Sequence, residues 1–278
     1  MNTLESTKSV LILGGNGKTG RRVAERLEAR GRAVKPVSRS TNPRFDWTDQ
    51  GTWPGVLDGV DAVYITYQPD LAVPGAVEAV RDFADLALKA GIRRMVLLSG
   101  RGEEEAQRAE DVLKDSGADW TVVRAGWFSQ NFSENFLIDG ILAGQVVLPQ
   151  LAAKEPFVDA DDIADVVVEA FSDDRHIGQL YEVTGPRLMT FADAVREVGE
   201  ASGRKIDFLE IPAADYAAGL KQQEVPEDLA ELIMYLFTTV LDGRNEHLND
   251  GIEKVLGRPP KDFSDYARET AAGGAWAA

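Results

Sequence analysis

The residues best suited to chemistry come first in the chain. Three glycines spaced three apart, Gly14-x-x-Gly17-x-x-Gly20, lie in "VLILGGNGKTG", residues 10–20. An apolar run feeds them, and "RRVAERLEARG" follows with Val23, Ala24 and Leu27 on one helical stripe. Glycine at such a strand-to-helix turn permits a tight bend, a close approach of backbone to a pyrophosphate and tight helix–strand packing. The helix N-terminus then presents free N–H groups and a favourable dipole to the phosphates. Gly17-Lys18-Thr19 would also close a Walker A loop, but that motif needs glycine at position 12, where Ile12 stands. The spacing therefore predicts a dinucleotide turn, with Gly14, Gly15, Asn16, Gly17, Lys18, Thr19 and Gly20 around the pyrophosphate. The alternative is a glycine-rich turn that holds no ligand.

The end of the second strand bears on which dinucleotide. NAD-binding folds place an Asp or Glu there for the ribose hydroxyls. This strand ends "PVSRST", and Ser38 with Arg39 suits a 2′-phosphate instead, through charge-assisted hydrogen bonds. The expected cofactor is NADP(H), with NAD(H) the alternative if Arg39 is a solvated surface residue. Asp46, in "RFDWTD", has two open roles: contact with the adenine amino group, or a turn or helix-cap residue.

These residues need elements to hold them in place. "AVKPVS", "DAVYIT", "RRMVLLS" and "DWTVVRA" read as strands, and "VPGAVEAVRDFADLALKAG" and "EEEAQRAEDVLKDSG" as helices between them. Such alternation predicts an α/β fold of the Rossmann type, a doubly wound parallel sheet. Ligands of such sheets sit outside the carboxyl ends of the strands, which places Thr66 and Tyr67 beside the cofactor. After about residue 145 the pattern becomes mostly helical, with "DADDIADVVVEAF", "TFADAVREVGEASG" and "PEDLAELIMYLFTTVLDG" between short strands "QLYEVTG" and "KIDFLEIP". The expectation is a cofactor domain over 1–145 and a smaller, mostly helical part over 146–278, with no Pro/Ser-rich linker between them, as one compact unit.

Composition narrows the functional classes. The 278 residues are 44% apolar and carry a net charge of −16, which disfavours nucleic acid as a partner. There is no cysteine, so no disulfide framework and no thiolate chemistry. His176 and His247 stand apart from one another, with no metal-ligand spacing. "MNTLESTKS" lacks the apolar stretch of a signal peptide, and no run approaches the ~18 apolar residues of a membrane span. The expectation is a cytoplasmic protein with no membrane, metal or nucleic-acid partner.

"GGNGKTG" with "SRS", "FDW", "VLLS", "WTVVRAGWFSQNF", "PFVDADDIADV" and "HLNDGIEKVLGRPPKDFSDYA" resembles the atypical short-chain dehydrogenases of the NmrA-like group. Within that group it is similar to the ergot-alkaloid-pathway reductases (festuclavine and agroclavine dehydrogenases) and their bacterial relatives. The resemblance runs over nearly the whole chain. It implies a Rossmann cofactor domain, a small C-terminal substrate domain and an NAD(P)H-dependent reductase, in a family that also contains redox sensors without catalysis. Ordinary short-chain dehydrogenases use a Tyr-x-x-x-Lys pair; none of the tyrosines at 64, 67, 181, 216, 235 and 266 has Lys four residues on. Relatives carry a Lys in the helix after the "VLLS" strand, where the nearest cation here is Arg108, too basic to donate a proton. The resemblance places a hydroxyl near the reacting carbonyl at Ser99, which is either an oxyanion donor or a helix cap. Glu103, Glu104 and Glu105 read as solvated first-turn residues.

The resemblance also implies that "GWFSQNFSENF" walls the substrate site. Trp127, Phe128 and Phe132 would offer flat apolar area to an aromatic or polycyclic small molecule, and Asn131 and Asn135 would orient it. The alternative is an ordinary core segment carrying aromatics. Two classes of function remain open. One is reduction of a ketone or iminium carbon, with quinone or dye reduction as a variant; an iminium carbon needs no proton, which suits the missing Tyr. The other is a non-catalytic NADP(H) sensor.

Overall fold

The computed structural model describes residues 8–134, 136–150 and 153–277. Residues up to Arg124, together with Ile163–Glu182, form one compact unit, and Ala125–Asp162 with the residues from Val183 onward form a second.

The first unit is built on strands β1 (Ser9–Leu13), β2 (Val34–Val37), β3 (Val60–Ile65), β4 (Arg94–Gly100) and β5 (Asp119–Ala125). Helices α1 (Lys18–Ala29), α2 (Ala76–Lys89) and α3 (Glu104–Asp115) connect them. In the second unit come α4 (Leu137–Ala143) and β6 (Gln145–Pro149). Helix α5 (Ala160–Ser172) and β7 (Gln179–Val183) carry the chain through the first unit again. The remainder is α6 (Phe191–Ser202), β8 (Asp207–Ile211), α7 (Ala213–Gln222), α8 (Glu227–Tyr235), α9 (Gly251–Leu256) and α10 (Phe263–Ala272).

Six strands form a parallel sheet in the order β2-β1-β3-β4-β5-β7. β1 lies inside it, with Val10 opposite Val34 on one side and Ala62 on the other. Val10 to Leu13 are fully buried, as a strand covered on both faces must be. Side chains alternate between the two faces. Leu11, Leu13, Val63, Ile65, Met95 and Leu97 pack with α2 and α3. Tyr64 points the other way and donates to Thr19 Oγ1 of α1 at 3.0 Å. α1 is tied to α5 on that face by Arg26–Asp165 and Arg30–Glu169, each at 2.7 Å. Helices thus cover both faces, as expected of a doubly wound fold.

The division of the chain differs from one at residue 145. Segment 163–182 returns to the first unit because β7 adds to the sheet edge beside β5 and α5 lies against α1. In the second unit, β6 pairs in parallel with β8 as a separate two-stranded sheet. Its core is an aromatic cluster of Phe132, Phe157, Phe191, Phe237, Phe263, Tyr266 and Trp276.

Candidate functional site

The glycine turn is built by contacts only glycine permits. Gly14 has φ +68, and a Cβ on it would stand 2.5 Å from Thr66 Oγ1. A Cβ on Gly15 would meet Pro36 Cβ of β2 at 2.5 Å. One on Gly20 would overlap the Gly14 carbonyl oxygen, so the first turn of α1 rests directly on the loop. Thr66 Oγ1 donates to Leu13 O at 2.8 Å and locks the end of β1 to the end of β3. Gly17 caps α1 without any side-chain hydrogen bond, and the first turn carries no acidic residue. The arrangement fits a dinucleotide: a cradle free of side chains, under uncapped N–H groups at the positive end of a helix dipole.

The loop residues divide in role. Thr19, 4% exposed, turns its hydroxyl to Tyr64 and holds α1 on the sheet. Asn16 is exposed and donates to Ser38 Oγ at 3.1 Å, and Ser38 and Ser40 hydroxyls lie 3.1 Å apart. Thr41 fixes this corner by accepting from Ser38 N at 2.8 Å and donating to Ser38 O at 2.9 Å. Arg39 projects from the corner, exposed, with no hydrogen bond or ion pair among the described residues.

Asp46 is engaged within its own turn. It accepts from Thr48 N at 3.0 Å, Thr48 Oγ1 at 2.9 Å and Arg44 at 2.5 Å. The Thr48 N–H first, then the Arg44 guanidinium, hold its carboxyl below the usual carboxylate range. Trp53 Nε1 donates to its carbonyl at 2.9 Å, and Trp47 Nε1 to Thr66 O at 2.9 Å. "FDWTDQGTW" is thereby stitched to the strand ends, with Tyr67 against Trp47 at a ring separation of 4.8 Å.

Ser99 does not cap α3. Its hydroxyl, 4% exposed, donates to Glu110 Oε1 at 2.7 Å, in the body of α3 rather than at its cap. Glu110 is fully buried and also accepts two bonds from Arg124, at 2.8 and 2.6 Å, and one from Lys114 at 3.2 Å. Arg124 continues to Glu182 at 3.1 Å. Ser99 is one donor in a buried ionic network that pins α3 and β7 to the sheet.

The three glutamates at the start of α3 are not alike. Glu104 is exposed and Glu105 pairs with Arg108 at 2.7 Å, as solvated first-turn residues do. Glu103 is 8% exposed, and its carboxyl folds back over Gly100 at the end of β4. Burial first, then the charge and hydrogen bond of Asp70, push this carboxyl well above the usual range.

In the second unit, Trp127 and Phe128 are half-exposed. Trp127 packs against Phe191 and Phe237, each at 5.2 Å, and against Phe136 at 6.5 Å. Tyr216 extends the cluster, 6.0 Å from Phe237. Phe132, expected to face the substrate, is instead fully enclosed between Phe157 and Phe263, at 5.3 and 5.2 Å, and belongs to the core. Asn131 is 9% exposed; Asn135 lies outside the described residues. Phe136, Tyr216 and Phe237 were not singled out from the sequence. Phe237 reaches Trp127, and Tyr216 reaches Phe237, only through the fold, and nothing local marks them. His176 is 2% exposed and bonded through Nδ1 to Tyr181 at 2.8 Å, a satisfied core histidine. Among the described residues there is no cluster that could hold a metal ion, and no helix long and apolar enough to cross a membrane.

A family model described as NAD(P)H-binding matches residues 14–174. Over almost its full length the chain is similar to curated proteins. It is 27% identical to the prestalk A differentiation protein A of Dictyostelium discoideum, covering 96% of this chain and 94% of that one. It is 28% identical to the agroclavine dehydrogenase of Claviceps fusiformis, covering 94% and 96%. Among solved structures, the NADPH-dependent quinone oxidoreductase of Escherichia coli, crystallised with NADPH, superposes with a TM-score of 0.78 at 21% identity, covering 94% and 99%.

Proposed function

The chain belongs to the NAD(P)H-binding family, and from that premise we propose that it is an NADPH-dependent reductase of flat aromatic or polycyclic small molecules, acting at a ketone or iminium carbon. The observation that carries the cofactor assignment is the cradle of Gly14, Gly15, Gly17 and Gly20 beneath the uncapped end of α1, with unpartnered Arg39 at the corner beyond it. In this reading Gly14 to Gly20 hold the pyrophosphate and Thr66 keeps the loop closed. Ser38 and Arg39 take the 2′-phosphate, with Tyr67 near the cofactor. When bound, NADPH supplies the hydride.

The substrate class rests on the second unit. Trp127, Phe128, Phe136 and Tyr216 offer aromatic surface that is only partly covered, which suits a flat apolar molecule. The name of the agroclavine dehydrogenase supports a polycyclic amine or its iminium form, and that of the quinone oxidoreductase supports a conjugated carbonyl. Asn131 is the polar group we assign to orienting it. The domain roles follow: cofactor in the first unit, substrate recognition by the second.

The test is a panel of aromatic ketones, quinones and cyclic iminium ions, with NADPH oxidation followed by absorbance. Turnover of at least one class, lost when Trp127 is replaced by Ala, is the expected result. Tight NADPH binding with no oxidation across the panel would favour a cofactor sensor.

A further inference from the structure

The reductase reading leaves a gap: a ketone needs a proton as well as a hydride. Ser99 gives its hydroxyl to Glu110, and Tyr64 is buried and bonded to Thr19. Two carboxyl groups stand at the ends of neighbouring strands instead. Asp70 follows β3 and Glu103 follows β4, and β3 and β4 are paired from Ala62–Arg94 to Ile65–Leu97. Glu103 lies so close over Gly100 that any Cβ there would overlap both of its carboxyl oxygens. It is 8% exposed, and its Oε2 is buried with no hydrogen-bond partner. Asp70, whose Oδ1 accepts from Ala72 N at 2.9 Å, adds a second negative charge that disfavours ionisation of Glu103. Arg101, two residues away, faces Glu182 at 4.0 Å. A carboxyl buried with an unpartnered oxygen favours its neutral form, because ionisation there is not compensated by a partner. Ligands of a doubly wound sheet sit at these strand ends, and the Glu103 carboxyl lies over the end of β4.

We propose that Glu103, buried over the end of β4 with an unpartnered carboxyl oxygen, is the acid that completes ketone reduction in this protein, an inference that rests on the reductase reading above. The carbonyl carbon gains hydride, the C=O π pair moves to oxygen, and that oxygen takes the proton from Glu103 to give the alcohol. Glu103 is left as a carboxylate and regains a proton from water. An iminium carbon draws on no such proton, because its nitrogen keeps the π pair as a lone pair. Gly100 is part of the device: only glycine leaves room for the carboxyl to lie across the strand end.

The test has a readout independent of turnover. Infrared difference spectra of the full chain in H2O and D2O, at neutral pH, should show the C=O stretch of a neutral carboxylic acid. The band should vanish in Glu103→Gln and persist in Glu104→Gln. With NADPH bound, Glu103→Gln should lower the ratio of ketone to iminium reduction by about 10²- to 10⁴-fold, the usual worth of a general acid. Gly100→Ala should lower the same ratio, because the added methyl meets only the flexible end of Glu103 and displaces it without forcing the backbone. A wild-type spectrum without the band, or an unchanged ratio in a folded Glu103→Gln that binds NADPH, would overturn the proposal. Failure of the reductase reading looks different: wild type would then reduce neither substrate, and the catalytic role would fall with it.

Discussion

Arg39 stands at the end of the strand that usually carries the ribose-binding acid, and among the described residues nothing neutralises it. A 2′-phosphate would be its first partner, through a charge-assisted bond of about 1.5–3 kcal/mol. NADPH should therefore bind roughly 10- to 100-fold more tightly than NADH, and Arg39→Asp should abolish or invert the preference. Fluorescence titration of both cofactors checks it; equal affinities in wild type would remove Arg39 from the site. Ser99 carries a different expectation. Its partner Glu110 keeps Arg124 and Lys114 when the hydroxyl is lost. Ser99→Ala should cost about 1–2 kcal/mol of stability and leave turnover within a few-fold. Denaturant unfolding and steady-state rates separate the two. A hundredfold loss of rate at unchanged stability would return Ser99 to the chemistry.

At the scale of elements, the β1–turn–α1 unit is the part on which cofactor binding depends. Gly20 is its tightest point, because the atom an added methyl would meet is the Gly14 carbonyl, which cannot swing aside as a side chain can. Gly20→Ala should weaken NADPH binding by about 100-fold or more through distortion of the turn, with circular dichroism little changed. Gly55→Ala, where an added Cβ meets nothing within 4 Å, should change neither. This unit was legible in the sequence because everything that makes it is local: an apolar run, a glycine spacing and a helical stripe. The other sheet strands and α2, α3, α5 and α6 were legible for the same reason. The return of α5 and β7 to the first unit was not, since strand order depends on which sheet edge is free when the chain comes back. β6 is short, opens on a polar residue, and pairs with a strand far along the chain. Glu103 is chemically identical to Glu104 and Glu105. Only the approach of the Asp70 loop and the bare face of Gly100 set it apart.

The whole molecule carries sixteen more negative than positive charges, so its acidic groups depend on specific partners. In the second unit Arg187 is gripped by Asp262, at 2.8 and 2.9 Å, and Glu197, at 2.8 and 2.7 Å. The Arg187 hydrogen bonds hold Asp262 well below the usual carboxylate range. A carboxyl depressed on folding contributes stability above its unfolded value, near 4, and loses it as pH falls through the folded one. Arg187→Ala should therefore lower the thermal midpoint at about pH 7, and the gap from wild type should narrow as pH falls below about 4. A gap that widens with acid would mean the clamp does not act through Asp262. At the scale of the whole chain, the proposed activity is transfer of hydride from NADPH to a small molecule. Its most direct test is turnover with NADPH deuterated stereospecifically at C4 of the nicotinamide, against the panel of ketones, quinones and iminium ions, with products read by mass spectrometry and NMR. The account predicts deuterium on the reduced carbon of a ketone or iminium product, from one face of the nicotinamide only. Tight binding of the labelled cofactor with no deuterium in any product would contradict it.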